Sequence, residues 1–263
     1  MSGKRGTWNT RGTWITGAAL AAVLMLTGYV MFSGDESGAD PQGKGWADLP
    51  ASASPEAGYT QPAEWVEPER WTALPSGKRL DVRGSEVGFP HTLEGAVAAA
   101  AAANTVNIEG SRSTVDEQLR IYYSYVAKAE QSDENAEKIE LAAVETDKML
   151  HREMGVRPGG PLPSGAYMRN VVIGYKVIRE SDDEVSVWVL ARVTQKAGET
   201  KKETVDYTRT LNALVWKGGD WKLSAAATER VVQKAFKDGK PAIVAPGDAV
   251  FNEAGWTAIR EAS

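Results

Sequence analysis

The longest apolar run of the chain lies near its start, at residues 14–32, and contains no charged side chain. At about 1.5 Å of rise per residue, a helix of that length just crosses a hydrocarbon layer of ~30 Å. Basic residues precede the run and acidic residues follow it, so the positive-inside rule places the short tail of residues 1–13 in the cytoplasm. The pattern predicts a single-pass helix of the cell membrane, with the rest of the chain extracytoplasmic.

A cleavable signal peptide is the alternative interpretation, because it also begins with basic residues and an apolar run. This run ends in Gly28-Tyr29-Val30-Met31-Phe32, which offers no small-x-small cleavage site. The first acceptable site, Ser37-Gly38-Ala39, lies well beyond the apolar end. These features favour an uncleaved anchor, and the absence of Cys excludes a lipidated cysteine after the run.

Residues 33–88 are rich in Gly, Ser, Ala, Pro and acidic side chains, and closely spaced prolines exclude long helices or strands. We expect an extracytoplasmic linker that holds a folded domain away from the lipid. It carries more aromatic side chains than linkers usually do, namely Trp46, Tyr59, Trp65 and Trp71. Two interpretations stay open: these side chains dock on the chain's own domain, or they dock on another protein.

Three helices are predicted next. Thr92 is placed to cap a helix at 93–106, whose alanine run has high helix propensity and little bulk. A capping box that starts at Thr114 opens a second helix, which reaches about residue 130, and a third helix covers about 132–154. The second helix is expected to face the core with Leu119, Tyr122, Tyr123 and Val126.

Beyond a Pro- and Gly-rich loop at 157–165, the apolar pattern changes to alternation, which is typical of strands. Alternating runs cover 171–177, 185–193 and 205–216. The sequence Trp216-Lys217-Gly218-Gly219-Asp220-Trp221 predicts a tight hairpin into a fourth strand at 222–226. Residues 229–263 contain scattered apolar side chains, so this C-terminal extension is expected to pack in part against the domain.

Composition narrows the function classes. The 263 residues carry a formal net charge of −5, without the basic excess expected of a protein that reads nucleic acid directly. There is no Cys, so disulfides, thiolate nucleophiles and cysteine zinc sites are excluded. The sequence contains no nucleophile elbow, phosphate loop, paired-histidine metal motif or dinucleotide fingerprint. We therefore expect no catalytic, cofactor-binding or metal-binding residues.

The order of elements, an anchor, a spacer, helices and then a meander of long strands, resembles the NTF2-like α+β cone. Gly88-Phe89-Pro90-His91-Thr92-Leu93-Glu94-Gly95-Ala96-Val97-Ala98-Ala99-Ala100 is similar to a stretch in uncharacterised proteins of Gram-positive integrative and conjugative elements. Membrane-anchored versions of this fold resemble the scaffold subunits of conjugation and type IV secretion channels. The resemblance covers roughly residues 89–228. It implies an α+β fold with an N-terminal transmembrane helix, a linker, and about three helices packed on a four-stranded antiparallel sheet.

Enzymes of the cone fold place acid–base residues inside the cone, and the side chains in this chain that could serve are His151, Asp206, Tyr207, Arg209 and Asn212. Strand alternation puts Asp206 and Tyr207 on opposite faces of the sheet, so they cannot converge without a bulge. His91 lies at a helix start and His151 near a helix end, where capping or a favourable contact with the helix dipole accounts for them. These placements favour structural roles.

The favoured function is that of a non-catalytic scaffold or assembly protein of a conjugative DNA-transfer or type IV secretion-like apparatus. Its expected partners are the membrane, other subunits of that apparatus and further copies of itself, without sequence-specific binding of nucleic acid. The alternative is a membrane-tethered NTF2-like pocket protein that binds or converts a small apolar ligand, which requires a closed apolar cavity with two convergent polar groups. An envelope sensor is disfavoured, because residues 1–13 are too short to form an output domain.

Overall fold

The computed structural model describes residues 64–260 of the chain. The helices are α1 (Leu93–Asn104), α2 (Thr114–Tyr125), α3 (Asp133–Glu153), α4 (Ala225–Lys237) and α5 (Ala249–Glu253), with a 3₁₀ turn at Lys128–Glu130. The strands are β1 (Trp71–Ala73), β2 (Arg79–Leu80), β3 (Glu86–Val87), β4 (Val106–Glu109), β5 (Ala166–Glu180), β6 (Glu184–Ala197), β7 (Thr204–Lys217), β8 (Asp220–Leu223) and β9 (Thr257–Arg260).

Seven of the strands form one mostly antiparallel sheet in the order β1-β9-β5-β6-β7-β8, and β4 pairs with β5 beside that path. β1 runs parallel to β9, whereas β2 and β3 form a separate hairpin. The predicted cone of about three helices on a four-stranded sheet is therefore wrong, because residues 64–260 hold seven sheet strands and five helices. Strands of three or four residues, such as β1, β4 and β9, are too short to show an alternating period.

The predicted tail at 1–13 and transmembrane helix at 14–32 lie outside the described residues. In the stretch from residue 64 to residue 260, no helix combines the length and apolar character needed to cross a membrane. The predicted linker at 33–88 overlaps the described part from residue 64 onward, where the chain forms β1, β2 and β3.

Side-chain caps fix where the first three helices begin. Thr92 Oγ1 accepts a hydrogen bond from the Gly95 amide at 3.1 Å, so α1 has the predicted cap. α2 is capped one residue earlier than predicted, by Ser113, whose reciprocal partner in the capping box is Asp116. Ser132 Oγ accepts from the Asn135 amide at 3.1 Å and caps α3. Each cap satisfies amide groups that the first helical turn leaves unpaired.

The sheet has two faces, and each packs in its own core. On the helix face, α1, α2 and α3 cover side chains such as Val187 and Val189 of β6. The alanine side chains of α1 let its backbone approach the sheet closely, and most of this helix is buried. On the outer face, α4 together with Phe251 and Trp256 covers Trp188 of β6. α4 and the residues that follow it thus supply the apolar cover of the outer face.

A register shift between Val172 and Gly174 divides β5. The alternation of residues 171–177 predicts one common face, and this is wrong: Ile173 packs in the outer-face core, whereas Tyr175 packs in the helix-face core. A bulge inserts one extra residue, so the side chains beyond it change face. Gly174 sits at this point because a Cβ there would lie only 3.2 Å from the Thr257 carbonyl oxygen.

Candidate functional site

The outer face is covered along only part of its length. We call the part under α4, Phe251 and Trp256 the covered half; it includes Trp188, Leu190 and Leu211. The bare half comprises Val171, Arg192, Val205 and Tyr207, and its two valines are 44% and 40% exposed. A groove of about 460 Å³ crosses the bare half and is bounded at one side by Trp71 and Pro246. This groove is the candidate functional site.

Strand register brings the bare-half side chains together from three strands. Val171 of β5 lies opposite Arg192 of β6, and Arg192 lies opposite Tyr207 of β7. Side chains directly opposite each other on one face have Cβ atoms about 5 Å apart. Because Trp71 comes from β1 at the sheet edge, the groove joins residues that are distant in sequence. It is built on strands, so its walls are held in fixed positions.

Arg192 supplies the positive charge at the groove. Its Nη2 atom lies 4.0 Å from Glu203 Oε1 and both side chains are exposed, so the ion pair contributes little. Burial raises the pKa of Tyr207, and the charge of Arg192 offsets part of that increase. Tyr207 is therefore a neutral phenol near pH 7. A groove with apolar walls, one phenol and one guanidinium suits an apolar side chain that has a carboxylate beside it.

Polar side chains form a rim next to the bare half. Tyr167 donates a hydrogen bond to the Glu203 carboxylate, which raises the pKa of Tyr167. The Arg169 guanidinium lies over the Tyr167 ring at 4.3 Å, and its Nη2 atom is 2.8 Å from Glu109 Oε2. An apolar centre with a charged, exposed rim is the composition typical of a protein–protein interface.

The structure keeps Asp206 and Tyr207 apart. β6 and β7 pair from Glu184 to Gln195 in unbroken register, so alternation holds along β7. Tyr207 packs beside the outer-face core, whereas Asp206 lies opposite Val193, which belongs to the helix-face core. Burial raises the pKa of Asp206. With the sheet between them, these two groups do not form an acid–base pair.

Arg209 and Asn212 have structural partners. The Arg209 guanidinium donates to the Pro241 carbonyl oxygen and ties β7 to the segment that follows α4. Asn104 at the end of α1 donates from Nδ2 to Asn212 Oδ1 at 3.2 Å. Both contacts hold covering segments on the sheet, one on each face.

The two histidines also join separate segments. His91 Nε2 lies 2.7 Å from the Asp182 carbonyl oxygen, and the ring stacks on Trp216 with 4.1 Å between centroids. His151 is buried, with Nδ1 2.7 Å from the Asp147 carbonyl oxygen and Nε2 2.8 Å from that of Gly160. These bonds fix the start of α1 on the β5–β6 turn and the end of α3 on the loop before β5.

No group of three or more His, Asp or Glu side chains within residues 64–260 is arranged to hold a metal ion. A pocket protein of the expected kind would keep its cavity between helices and sheet. There, α1 packs directly against β5 and β6, and Val97 and Ala100 are fully buried. The groove lies on the opposite side of the sheet and is open, as the exposure of its valines requires.

Arg192, Val171 and Val205 are the groove residues that the sequence does not identify. The valines follow the same alternation as buried strand residues, and Arg192 alternates as an exposed side chain should. A strand valine on this face is exposed or buried according to whether α4 and the residues after it lie over it. The strand register shows that Arg192 lies beside Val171, Val205 and Tyr207 on one face of the sheet.

A family model described as a domain of unknown function, DUF8175, matches residues 33–238. The match contains Trp71, Arg192 and Tyr207 of the groove, and it ends directly after α4. No curated protein and no solved structure matches the chain.

Proposed function

We propose that this chain, which belongs to the DUF8175 family, is a membrane-anchored, non-catalytic assembly protein of an apparatus for conjugative DNA transfer or type IV-like secretion. In this proposal residues 14–32 anchor it, the folded domain stands outside the cell membrane, and the bare half is its docking surface for another subunit. The observation that carries the proposal is an open groove with an apolar centre and a charged rim on a rigid sheet.

The contrast with the covered half supports docking of a protein segment. On the covered half, apolar strand residues lie under a helix and two aromatic side chains. The bare half offers the same type of surface, with Val171 and Val205 exposed around Arg192. A helix or strand of a partner that carries an apolar side chain next to a carboxylate would cover it in the same manner. The carboxylate would pair with Arg192.

Site-specific photocrosslinking in cells tests this proposal. A photoreactive phenylalanine analogue replaces Val205 in the full chain, and an identical replacement at Leu141, which is 62% exposed on α3, is the matched control. We expect position 205, but not position 141, to crosslink to a membrane subunit encoded beside this gene, and Val171→Lys to abolish that crosslink. Equal crosslinking at both positions, or none at position 205, would refute the docking surface.

The membrane topology has a separate test, which uses the absence of cysteine from the chain. Single-cysteine variants Ser2→Cys and Glu253→Cys are treated in whole cells with a membrane-impermeant maleimide. We expect labelling at position 253 and protection at position 2 until the cells are lysed. Recovery of the intact chain in the cytosol, or the reverse labelling pattern, would contradict the proposed anchor.

A small apolar ligand is the second candidate occupant of the groove. The volume of about 460 Å³ lies in the range of small-molecule sites, which favours this candidate. The openness of the groove counts against it, because such sites usually enclose most of their ligand. Native mass spectrometry of the purified full chain would reveal a bound ligand, and Val171→Lys would remove it.

A further inference from the structure

The hairpin formed by β2 and β3 presents apolar side chains to solvent at its turn. Leu80 is 64% exposed and Val82 is 95% exposed, the highest value among the large apolar side chains of residues 64–260. Both lie in the segment Lys78–Arg83, which we call the basic hairpin tip. With exposed Lys78, Arg79 and Arg83 close to them in the chain, these two aliphatic side chains form a small amphipathic surface.

The turn is fixed by hydrogen bonds within itself. Asp81 Oδ1 accepts from the amides of Arg83 at 2.8 Å and Ser85 at 2.9 Å. The Asp81 amide donates to the Ser85 carbonyl oxygen at 2.8 Å, and the Gly84 amide donates to the Asp81 carbonyl oxygen at 3.0 Å. The amides of Asp81, Arg83, Gly84 and Ser85 are thus all paired within the loop. If this loop moves from water into a less polar environment, these amides keep their hydrogen bonds.

Contacts with α2 hold the turn in place. Arg120 Nη1 donates to Ser85 Oγ at 2.9 Å, and the Arg83 guanidinium lies 4.4 Å from the centroid of the Tyr123 ring. The hairpin therefore projects Leu80 and Val82 from a defined position beside the helix layer. That layer lies on the side of the sheet opposite the groove.

The charges around the two aliphatic side chains are mainly positive. Lys78, Arg79 and Arg83 are exposed, in a chain whose net charge is −5. Burial tends to raise the pKa of Asp81, but hydrogen bonds from the amides of Ser85 and Arg83 favour the charged carboxylate, and on balance the pKa is lowered. The Asp81 carboxylate is therefore engaged inside the turn. Glu86, the other nearby acid, accepts from the Gly77 amide at 3.2 Å.

We propose that the basic hairpin tip is a second membrane contact, in which Leu80 and Val82 enter the headgroup region of an anionic bilayer while Lys78, Arg79 and Arg83 lie against lipid phosphates. Cations that flank apolar side chains are the combination that binds anionic lipid surfaces. A protein that recognised this hairpin through its backbone would need free amides, whereas most amides of the turn are already paired.

The contact rests on the proposed anchor, because two aliphatic side chains bind a bilayer weakly unless a tether holds them nearby. Residues 33–63 could span at most about 110 Å when fully extended. A domain of this size has a radius of gyration of about 16 Å. The segment is therefore long enough for the hairpin tip to reach the bilayer. With the tip on the bilayer, the bare half would face away from the membrane, toward other subunits.

The test uses the full chain reconstituted in vesicles with the domain outside. Val82→Cys carries an environment-sensitive NBD label, and Val171→Cys, on the opposite side of the sheet, is the matched control. In vesicles that contain phosphatidylglycerol, we expect blue-shifted emission at position 82 and quenching by spin-labelled lipid chains. We expect neither change at position 171, nor at position 82 in pure phosphatidylcholine. Lys78→Glu with Arg79→Glu should reduce the inserted fraction at least about tenfold.

Vesicle flotation separates this proposal from the anchor on which it rests. A chain that floats with the vesicles while position 82 remains open to aqueous iodide would overturn the second contact and leave the anchor intact. A chain that does not float would overturn the anchor itself. If protection of position 82 requires an added protein subunit and not anionic lipid, the tip binds protein and the membrane contact is refuted.

Discussion

The covered and bare halves of the outer face belong to the same central strands and use the same kinds of side chain. On one half, Trp188 and Leu190 of β6 are buried beneath α4 and Trp256. On the other half, a few residues further along, Val171 of β5 and Val205 of β7 face water. The strands therefore do not determine which part is exposed. Contact with α4, Phe251 and Trp256 determines it.

The largest effect is expected on the covered half. Trp256 is fully buried, and its Nε1 donates to the Ala242 carbonyl oxygen at 2.8 Å. Trp256→Ala should lower the free energy of unfolding by about 3–5 kcal/mol, because it leaves a large cavity under the sheet. Urea unfolding of the purified full chain in detergent measures this, with Trp256→Phe as a milder control. A loss below about 1 kcal/mol would mean that the segment is not essential cover.

Gly174 marks the boundary between the halves and should give an intermediate effect. A Cβ at this position would lie 3.2 Å from the Thr257 carbonyl oxygen and 3.4 Å from the Phe251 ring. Gly174→Ala should therefore cost about 1–3 kcal/mol through overpacking. Gly160→Ala is the matched control, since the nearest atom to its added Cβ is 3.6 Å away. Equal stability of the two variants would contradict the close approach.

Asp206 of β7 should make the stability of the domain depend on pH. Burial raises the pKa of Asp206 above its unfolded value of about 3.9, so stability falls as pH rises between the unfolded and folded pKa values. Asp206→Asn should therefore raise Tm at pH 7, by a few degrees at most, and lose this advantage below about pH 4. Thermal scans at the two pH values test this against Asp182→Asn, an exposed acid. A variant less stable than the parent at pH 7 would contradict it.

The smallest effect on folding is expected on the bare half. Val171→Lys should change the free energy of unfolding by less than about 0.5 kcal/mol, because Val171 is already exposed at the surface. The same replacement at buried Leu190 should unfold the domain, since it buries an unpaired charge. Circular dichroism of both variants tests the contrast. If Val171→Lys also unfolds the chain, the bare half is part of the core.

Local signals let the sequence predict several elements. Thr92 was identifiable as a cap, and the alternation of residues 185–193 placed β6 correctly on one face. The apolar stripe predicted for α2 is partly wrong, because Tyr123 is exposed while Ile121 and Tyr125 are buried. α2 contacts α3, β4 and the hairpin region, so several of its sides are covered and no single stripe describes it.

The remaining features depend on contacts between distant residues. β1 pairs with β9 across most of the chain, and four residues at 257–260 carry no period that would predict a strand. The bulge at Gly174 reverses faces within one apparently regular run. The groove depends on both features and on which strand positions the C-terminal segment covers, so the sequence alone does not bring its residues together.

The parallel pairing of β1 with β9 also bears on how the domain responds to mechanical tension. In this pairing Trp71, Thr72 and Ala73 lie beside Ala258, Ile259 and Arg260. A pull along β1 from the preceding segment loads these backbone hydrogen bonds simultaneously, in shear, whereas a pull across the strand would open them one after another. Force that arrives from the preceding segment first loads the bonds of Val66 to Gly247 and of Glu69 to Asn252. It then reaches β1, the strand that also forms a wall of the groove.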